Sequence, residues 1–304
     1  MPLKFLLPVY WPLWVLLGIL RLIALLPLPQ LTRAGAALGW IGRHIPFLRF
    51  PHIARCNLKL CLPELTDAER ERVLDDHFKA VGICLCESAM SWWRSDASIQ
   101  SFSQIEGLGH LQQALARGKG AIVLTAHFTT LEISARILNT AVPLSALYRP
   151  PKNALLNWFS VRQRTRLAQR SILHDDIRGM VRALRDNHCV WYAPDQAYRK
   201  KGAEMVKFFG VPAATNVSTS RLAKMTGAAV LYFAHERLDY GRGYRVSISP
   251  ILEDFPGPSA IGDAERFNHF IESEVRRIPA QYWWIHRRFK GLTSDYPNYY
   301  AAKS

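Results

Sequence analysis

Five short apolar runs, at residues 121–125 (AIVLT), 144–148, 189–192, 228–234 and 244–249, constrain this chain more than anything else in it. Runs that brief and that uniformly apolar lack a polar face, so each reads as a strand covered on both sides. Stretches of helical periodicity separate most of them, at 131–138, 153–170, 175–186 and 216–225, and another follows at 263–277. Strand–helix alternation of this kind predicts an α/β domain, a mostly parallel sheet with flanking helices. In such sheets the chemistry collects beyond the carboxyl ends of the strands. Upstream, Thr66-Asp-Ala-Glu69 reads as a capping box that opens a helix running to about Trp93.

The first 30 residues carry a different signal. No charged residue occurs between Phe5 and Leu20; Arg21 interrupts, and the apolar run resumes to Leu28. A spanning helix needs about 20 predominantly apolar residues. The run reaches that length only if Arg21 is tolerated near an end or snorkels. Residues 1–30 are therefore expected to be a membrane anchor, a transmembrane helix or one lying in a single leaflet, ahead of a catalytic domain at 31–304. Lys4 precedes the run, whereas Arg21, Arg33, Arg43, Arg49, Arg55 and Lys59 lie within or beyond it. That bias places the following domain in the cytoplasm.

Charge narrows the partners. Lys and Arg outnumber Asp and Glu by 39 to 24, a net +15. Nucleic acid, an anionic membrane surface and an acidic carrier protein are all compatible with that surplus. No nucleic-acid-binding motif accompanies it, and an apolar anchor does, so nucleic acid is not the expected partner. The five cysteines fit no zinc spacing and read as reduced thiols, and no metal or cofactor is suggested.

His127 follows the strand at 121–125, and Glu132 lies five positions later, at the start of the next helix. Residues five apart on one helix diverge by about 140°. The two meet only if His127 occupies the strand-to-helix turn and Glu132 the first helical turn. A neutral imidazole there can take a proton from a hydroxyl, while a carboxylate on its other nitrogen fixes the tautomer. No activated Ser or Cys stands beside His127, so direct transfer is favoured over a covalent intermediate. By itself, H-x4-E is equally compatible with a half-buried His beside an unrelated helix-start Glu. Three further clusters end strands or precede a small-residue run: Tyr148-Arg149-Pro150-Pro151, Tyr192-Ala-Pro-Asp195-Gln196 and Phe208-Phe-Gly-Val-Pro212. Arg162, Arg166 and Arg170 recur every fourth residue, with Arg164 and Arg178 nearby, as on a phosphate-recognising helix face. The segment YWWIHRRFK at 282–290 mixes aromatics with bases, as in core packing, a membrane-interface contact, or both.

Taken in order, the segments AHFTTLEISAR (126–136), YRPPKNALLNWFSVRQRTR (148–166), WYAPDQAYRKKG (191–202), FFGVPAATNVSTSRLAKMTGAAV (208–230) and QYWWIHRRFK (281–290) resemble the lipid A biosynthesis acyltransferases of the lauroyl/myristoyl type. The resemblance covers nearly the whole chain. It implies a glycerolipid-acyltransferase-like α/β sandwich and transfer of a fatty acyl chain from acyl carrier protein, with no cofactor. The acceptor it implies is an acyl-chain hydroxyl of a Kdo-bearing lipid A precursor, reached at the cytoplasmic face of the inner membrane. His127 and Glu132 occupy the family's H-x4-D/E positions and would be catalytic. Arg149, Arg164 and Asp195 fall at positions that would bind substrate. Gln196, Lys207 and Asn216 depart from the family's pattern at the site rim, which bears on chain length and acceptor choice. Acylation of another membrane lipid, such as a lysophospholipid, an aminolipid or a glycolipid, is the alternative within enzymes.

Overall fold

The computed structural model describes residues 2–45, 49–148, 150–167, 170–174 and 176–301, apart from the side chains of 164–167. In chain order the helices are α1 (Trp11–Ile23), α2 (Leu28–Arg43), α3 (Phe50–Cys61), α4 (Asp67–Trp93), α5 (Asp96–Gln100), α6 (Leu108–Ala116), α7 (Leu131–Asn139), α8 (Ala154–Leu167), α9 (Ile177–Arg185), α10 (Ser218–Thr226) and α11 (Ala260–Arg277). The strands are β1 (Ser103–Glu106), β2 (Ala121–Leu124), β3 (Leu144–Tyr148), β4 (Arg170–Leu173), β5 (Cys189–Tyr192), β6 (Ala203–Phe208), β7 (Val211–Asn216), β8 (Ala229–Arg237) and β9 (Tyr244–Ile248).

Seven strands form one sheet in the order β1-β9-β8-β2-β5-β3-β4. From β8 to β4 neighbours run parallel, and β9 is antiparallel to β8, with β1 parallel to β9. The expected α/β class and mostly parallel sheet are therefore present. All four residues of β2 and of β5 are buried, as their unbroken apolar sequences require. Their side chains alternate between two cores. Ile122, Leu124, Val190 and Tyr192 pack with residues of α9, α10 and α11. Ala121, Val123, Cys189 and Trp191 pack with residues of α2, α6 and α7 on the other face.

Helix α4 contributes to both cores, Leu74 and Phe78 to the first and Cys86 and Met90 to the second. Its capping box is as the sequence predicts: Glu69 N–H donates to Thr66 Oγ1 at 3.3 Å, and Thr66 N–H donates to the Glu69 carboxylate at 2.8 Å. Helix α2 lies against it through glycine. A Cβ at Gly35, Gly39 or Gly82 would run into backbone atoms of the opposing helix, so only a residue without a side chain permits this approach.

Several boundaries differ from expectation. Helix α8 ends at Leu167, and Arg170 opens β4, pairing with Ser145. Arg170 therefore leaves the helix face it was expected to share with Arg162 and Arg166, because the apolar residues Ile172 and Leu173 are drawn into the sheet edge. Residues 203–216 form the antiparallel hairpin of β6 and β7, whose Phe208-Phe-Gly-Val-Pro segment supplies the turn.

The apolar N-terminus is not one helix. It is broken into 3-10 turns at Leu3–Leu6 and Pro8–Tyr10, then α1, then α2 after Pro27. At 1.5 Å per residue the 13 residues of α1 reach about 20 Å, short of a hydrocarbon core of about 30 Å. No described helix is long and apolar enough to cross a membrane, so the transmembrane expectation is not met. Pro8 and Pro27 fall at the breaks, where each lacks the backbone donor that a continuous helix would need, whereas Pro12 and Pro29 sit in first turns that tolerate them. Arg21, the charge that interrupts the run, sits 5.6 Å over the Trp93 ring. Leu3, Val9, Leu22 and Leu25 are each at least 65% exposed, while Phe5 and Trp14 turn inward onto Trp158.

A buried ion pair ties α4 to the antiparallel end of the sheet. Arg237 Nε and Nη2 donate to the two Glu87 oxygens at 2.5 and 2.7 Å, and Tyr244 O–H donates to Glu87 Oε1 at 2.7 Å. All three side chains are buried. Removing the carboxylate strands the guanidinium in the core. Glu87→Ala is expected to cost about 3–5 kcal/mol, read as a lower midpoint in chemical denaturation of the purified protein.

Two core histidines make the fold sensitive to acid. Burial depresses His77 to about 4 and His235 to about 3, so both are neutral in the folded protein. The unfolded chain takes up their protons near pH 6.5, and the folded chain does not until far lower. Stability is thus complete above pH 6.5 and falls as the pH drops, by roughly 1.4 kcal/mol per unit for each ring. Denaturation midpoints measured from pH 7.5 down to 5 should decline over that window, and the decline should be shallower in His77→Gln.

Candidate active site

Three adjacent strands deliver the site. β5, β2 and β8 pair in register, with Tyr192 opposite Leu124 and Leu124 opposite Tyr232. Three residues beyond each of those positions stand Asp195, His127 and His235. Equal offsets from a shared register bring all three side chains to one level.

His127 Nδ1–H donates to Asp195 Oδ1 at 2.5 Å, and the His127 backbone N–H donates to Asp195 Oδ2 at 3.0 Å. Tyr282 O–H adds a third bond to Oδ2, at 3.3 Å. Asp195 is 2% exposed. Burial opposes its charge, but the His127 ring, these hydrogen bonds and the nearby Arg288 outweigh it and hold the carboxyl below its usual range. An ionised Asp195 can only accept, so Nδ1 of His127 carries the proton and Nε2 keeps its lone pair.

The H-x4-E spacing predicts Glu132 as the carboxylate that orients His127; the structure gives that place to Asp195. The reason is geometric. Glu132 is the second residue of α7, already turning away with the helix, whereas Asp195 is fixed at the level of His127 by the β2–β5 register. Glu132 lies instead on the wall of a cavity that His127 also lines. Asp195, expected to contact substrate, is withdrawn beneath the histidine. Arg149 lies outside the described residues. Arg164 belongs to α8, and its side chain is likewise outside them.

Residues without a catalytic signal in the sequence complete the site. His235 Nε2–H donates to Ala126 O at 3.3 Å, and Thr130 O–H donates to His235 Nδ1 at 2.7 Å, so one neutral ring clasps the turn on both sides of His127. The C-terminal segment closes over the same turn. Trp283 N–H donates to His127 O at 2.9 Å, Thr129 N–H to Gln281 O at 2.7 Å, and Phe128 bridges to Tyr282. Below Asp195, Arg288 is 3% exposed and donates to Ala214 O and Thr215 Oγ1. Ala197 N–H donates to His286 Nε2 at 3.2 Å, and burial lowers His286 to about 4. The core packing expected of the 282–290 segment is present in these residues, which pack around the site. His235 was legible only through its position three residues past the strand partner of Leu124, which no single strand reveals.

His127 stands where two cavities meet. One, of about 230 Å³, is walled mainly by Trp92, Leu131, Ala135, Leu144, Ala146, Leu147 and Trp191, with Glu132 and Arg136 as its charged members. The other, of about 330 Å³, shares Leu131, Leu147, Tyr148 and Trp191 with the first and adds His174, Tyr198, Arg199, Lys200 and Asn216 among others, so its cations distinguish it. A proton acceptor between an apolar and a basic cavity suits a substrate with a hydrocarbon part and an anionic part.

A family profile for bacterial lipid A biosynthesis acyltransferases matches residues 2–291. The chain is 39% identical over 289 residues to a lipid A biosynthesis palmitoleoyltransferase of Escherichia coli (strain K12), covering 94% of each. It is 38% identical over 291 residues to a lipid A biosynthesis acyltransferase of Haemophilus influenzae, covering 94% of this chain and 92% of the relative. With the lauroyltransferase of the same E. coli strain it shares 34% identity over 294 residues, 96% of each. The chain is an acyltransferase and belongs to the bacterial lipid A biosynthesis acyltransferase family.

Proposed function

We propose that this enzyme moves a fatty acyl chain from acyl carrier protein to a hydroxyl on an acyl chain of a Kdo-bearing lipid A precursor, at the cytoplasmic face of the inner membrane. The observation that carries the reading is the His127–Asp195 pair at the junction of the apolar and basic cavities. Hydrocarbon from the substrates fits the first cavity, and phosphate or carboxylate groups suit the second. The relatives' names specify palmitoleoyl and lauroyl donors, so the size of the apolar cavity is the natural determinant of chain length here.

In the reaction, Nε2 of His127 takes the proton of the acceptor hydroxyl as its oxygen attacks the thioester carbonyl. The tetrahedral intermediate bears one negative oxygen, for which backbone N–H groups with Arg149 or Arg164 are the candidate donors. Collapse breaks the carbon–sulfur bond, and the thiolate leaves with the proton held on His127. Asp195 stabilises the imidazolium between these steps and stays ionised. Glu132 lies on the cavity wall, where it would face substrate. The exposed leucines and valines of residues 3–25, with Trp11, would seat in the headgroup layer, an arrangement of short amphipathic segments lying on the surface.

Asp195→Asn leaves the shape of the site intact while presenting His127 with an amide. It should lower kcat by about 10²–10⁴-fold with an unchanged fold by circular dichroism, and His127→Ala should fall at least as far. Near-normal turnover in either variant would remove the proposed base.

The acceptor and donor are tested with purified enzyme, a ladder of acyl carrier protein thioesters and the tetra-acylated lipid A precursor. Mass spectrometry should show one added acyl chain with release of the free carrier thiol. Transfer to a lysophospholipid or aminolipid alone would place the enzyme on a different lipid.

A further inference from the structure

We infer that the exposed face of α9 and α10 is the docking surface for the acidic carrier protein that brings the acyl thioester; this rests on the donor assignment above. Arg178, Arg182 and Arg185 follow one another at spacings of four and three along α9, which sets them on one side of the helix. Arg221 and Lys224 stand on α10, which packs beside α9. All five side chains are exposed, and none forms an ion pair among the described residues. Two acids flank α9 among the described residues, against three arginines on it. Asp176 accepts from Gly179 N–H at 2.8 Å, and Asp186 pairs with Arg170. Among the described residues the five cations of the two helices thus outnumber those acids, which leaves the surface with an excess of positive charge.

Its position says what the charge is for. Helix α9 begins just after His174, and α10 just after Asn216, two residues that line the basic cavity leading to His127. The cationic strip therefore starts at the cavity mouth, where Arg199 and Lys200 continue it inward, and runs outward along both helices. A protein held there would point a flexible thioester arm into the cavity. The strip also covers the first core, on the sheet face opposite the one covered by α2. The exposed apolar segments that precede α2 lie outside it. A lipid surface engaging those segments would leave α9 and α10 facing water, so a soluble acidic protein fits this face better than the bilayer. Opposed charge fields of this kind act mainly on encounter and affinity, and salt weakens them.

The test uses the full-length enzyme and the triple variant Arg178→Glu, Arg182→Glu, Arg221→Glu. KM for the acyl carrier protein thioester should rise at least tenfold, with kcat at saturation within twofold and an unchanged thermal midpoint. Raising the salt should weaken wild-type binding of the carrier protein steeply and leave the variant nearly flat. Replacing acidic residues of the carrier protein by lysine should recover part of the variant's loss. If the wild type turns over this thioester and the variant's KM matches it, the surface is wrong although the donor is right. Loss of binding to anionic vesicles with unaltered KM would assign the strip to the membrane and overturn the inference. If the wild type itself refuses every carrier thioester, the donor assignment falls and the docking surface with it.

Discussion

The register of β5, β2 and β8 is the constraint on which the site depends. Parallel strands pair with evenly spaced hydrogen bonds, so residues equally far beyond a matched pair leave the sheet at one height. Leu124 opposite Tyr192 and Tyr232 therefore determines that His127, Asp195 and His235 converge. A slip of one residue would exchange the two cores along the shifted strand and carry its active-site residue away from the others. Burial on both faces is what opposes such a slip. Val123 and Trp191 have shapes fitted to one core, Ile122 and Val190 to the other. Catalytic geometry is in this sense a by-product of core packing, and it needs no local rigidity in the 125–130 turn beyond the clasp that His235 and residues 281–283 supply.

Much of this fold was written in periodicity. The buried runs at 121–125, 144–148, 189–192, 228–234 and 244–249 all became strands, and the capping box at Thr66 opened a helix that does end at Trp93. The sequence failed where tertiary pairing decides the outcome. β4 is only four residues long, and β6–β7 alternates too weakly to announce itself, so neither shows without its partner strand. The N-terminus misled for a related reason. Its composition has the length of a span, but Pro8 and Pro27 divide it into pieces, each too short, and Arg21 lies over the Trp93 ring. In the site, His127 was visible from its place after a strand, whereas its carboxylate was misassigned. Spacing along the chain names Glu132; proximity in space names Asp195, 68 residues away.

The two ends of the substrate problem are kept on different parts of the surface. Exposed apolar side chains gather in the segments before α2, and unpaired cations gather along α9 and α10, on helices that cover opposite faces of one sheet. Between them the two cavities meeting at His127 share an apolar wall, and only the second adds the cations Arg199 and Lys200. On the proposed reaction a thioester carried in water meets a hydroxyl held at a membrane, and this division would give each its own approach. The +15 charge of the whole chain is then an average over a strongly uneven surface, and its location carries more meaning than its size.

A carboxylate buried to 2% exposure is expensive, and the protein accepts the cost for Asp195. Four groups make it tolerable: the His127 ring, the His127 N–H, Tyr282 O–H and the charge of Arg288. Three of those four reach it from segments fixed by the core, so the negative charge is held in one place and cannot swing toward substrate. Glu132, in the first turn of α7, is less deeply buried than Asp195 and makes no hydrogen bond to His127 among the described residues. The H-x4-E motif is therefore best understood as the imprint of a strand, a turn and a helix. It sets His127 at the head of a strand and a second carboxylate on the cavity wall, while the carboxylate bonded to His127 comes from beyond the neighbouring strand.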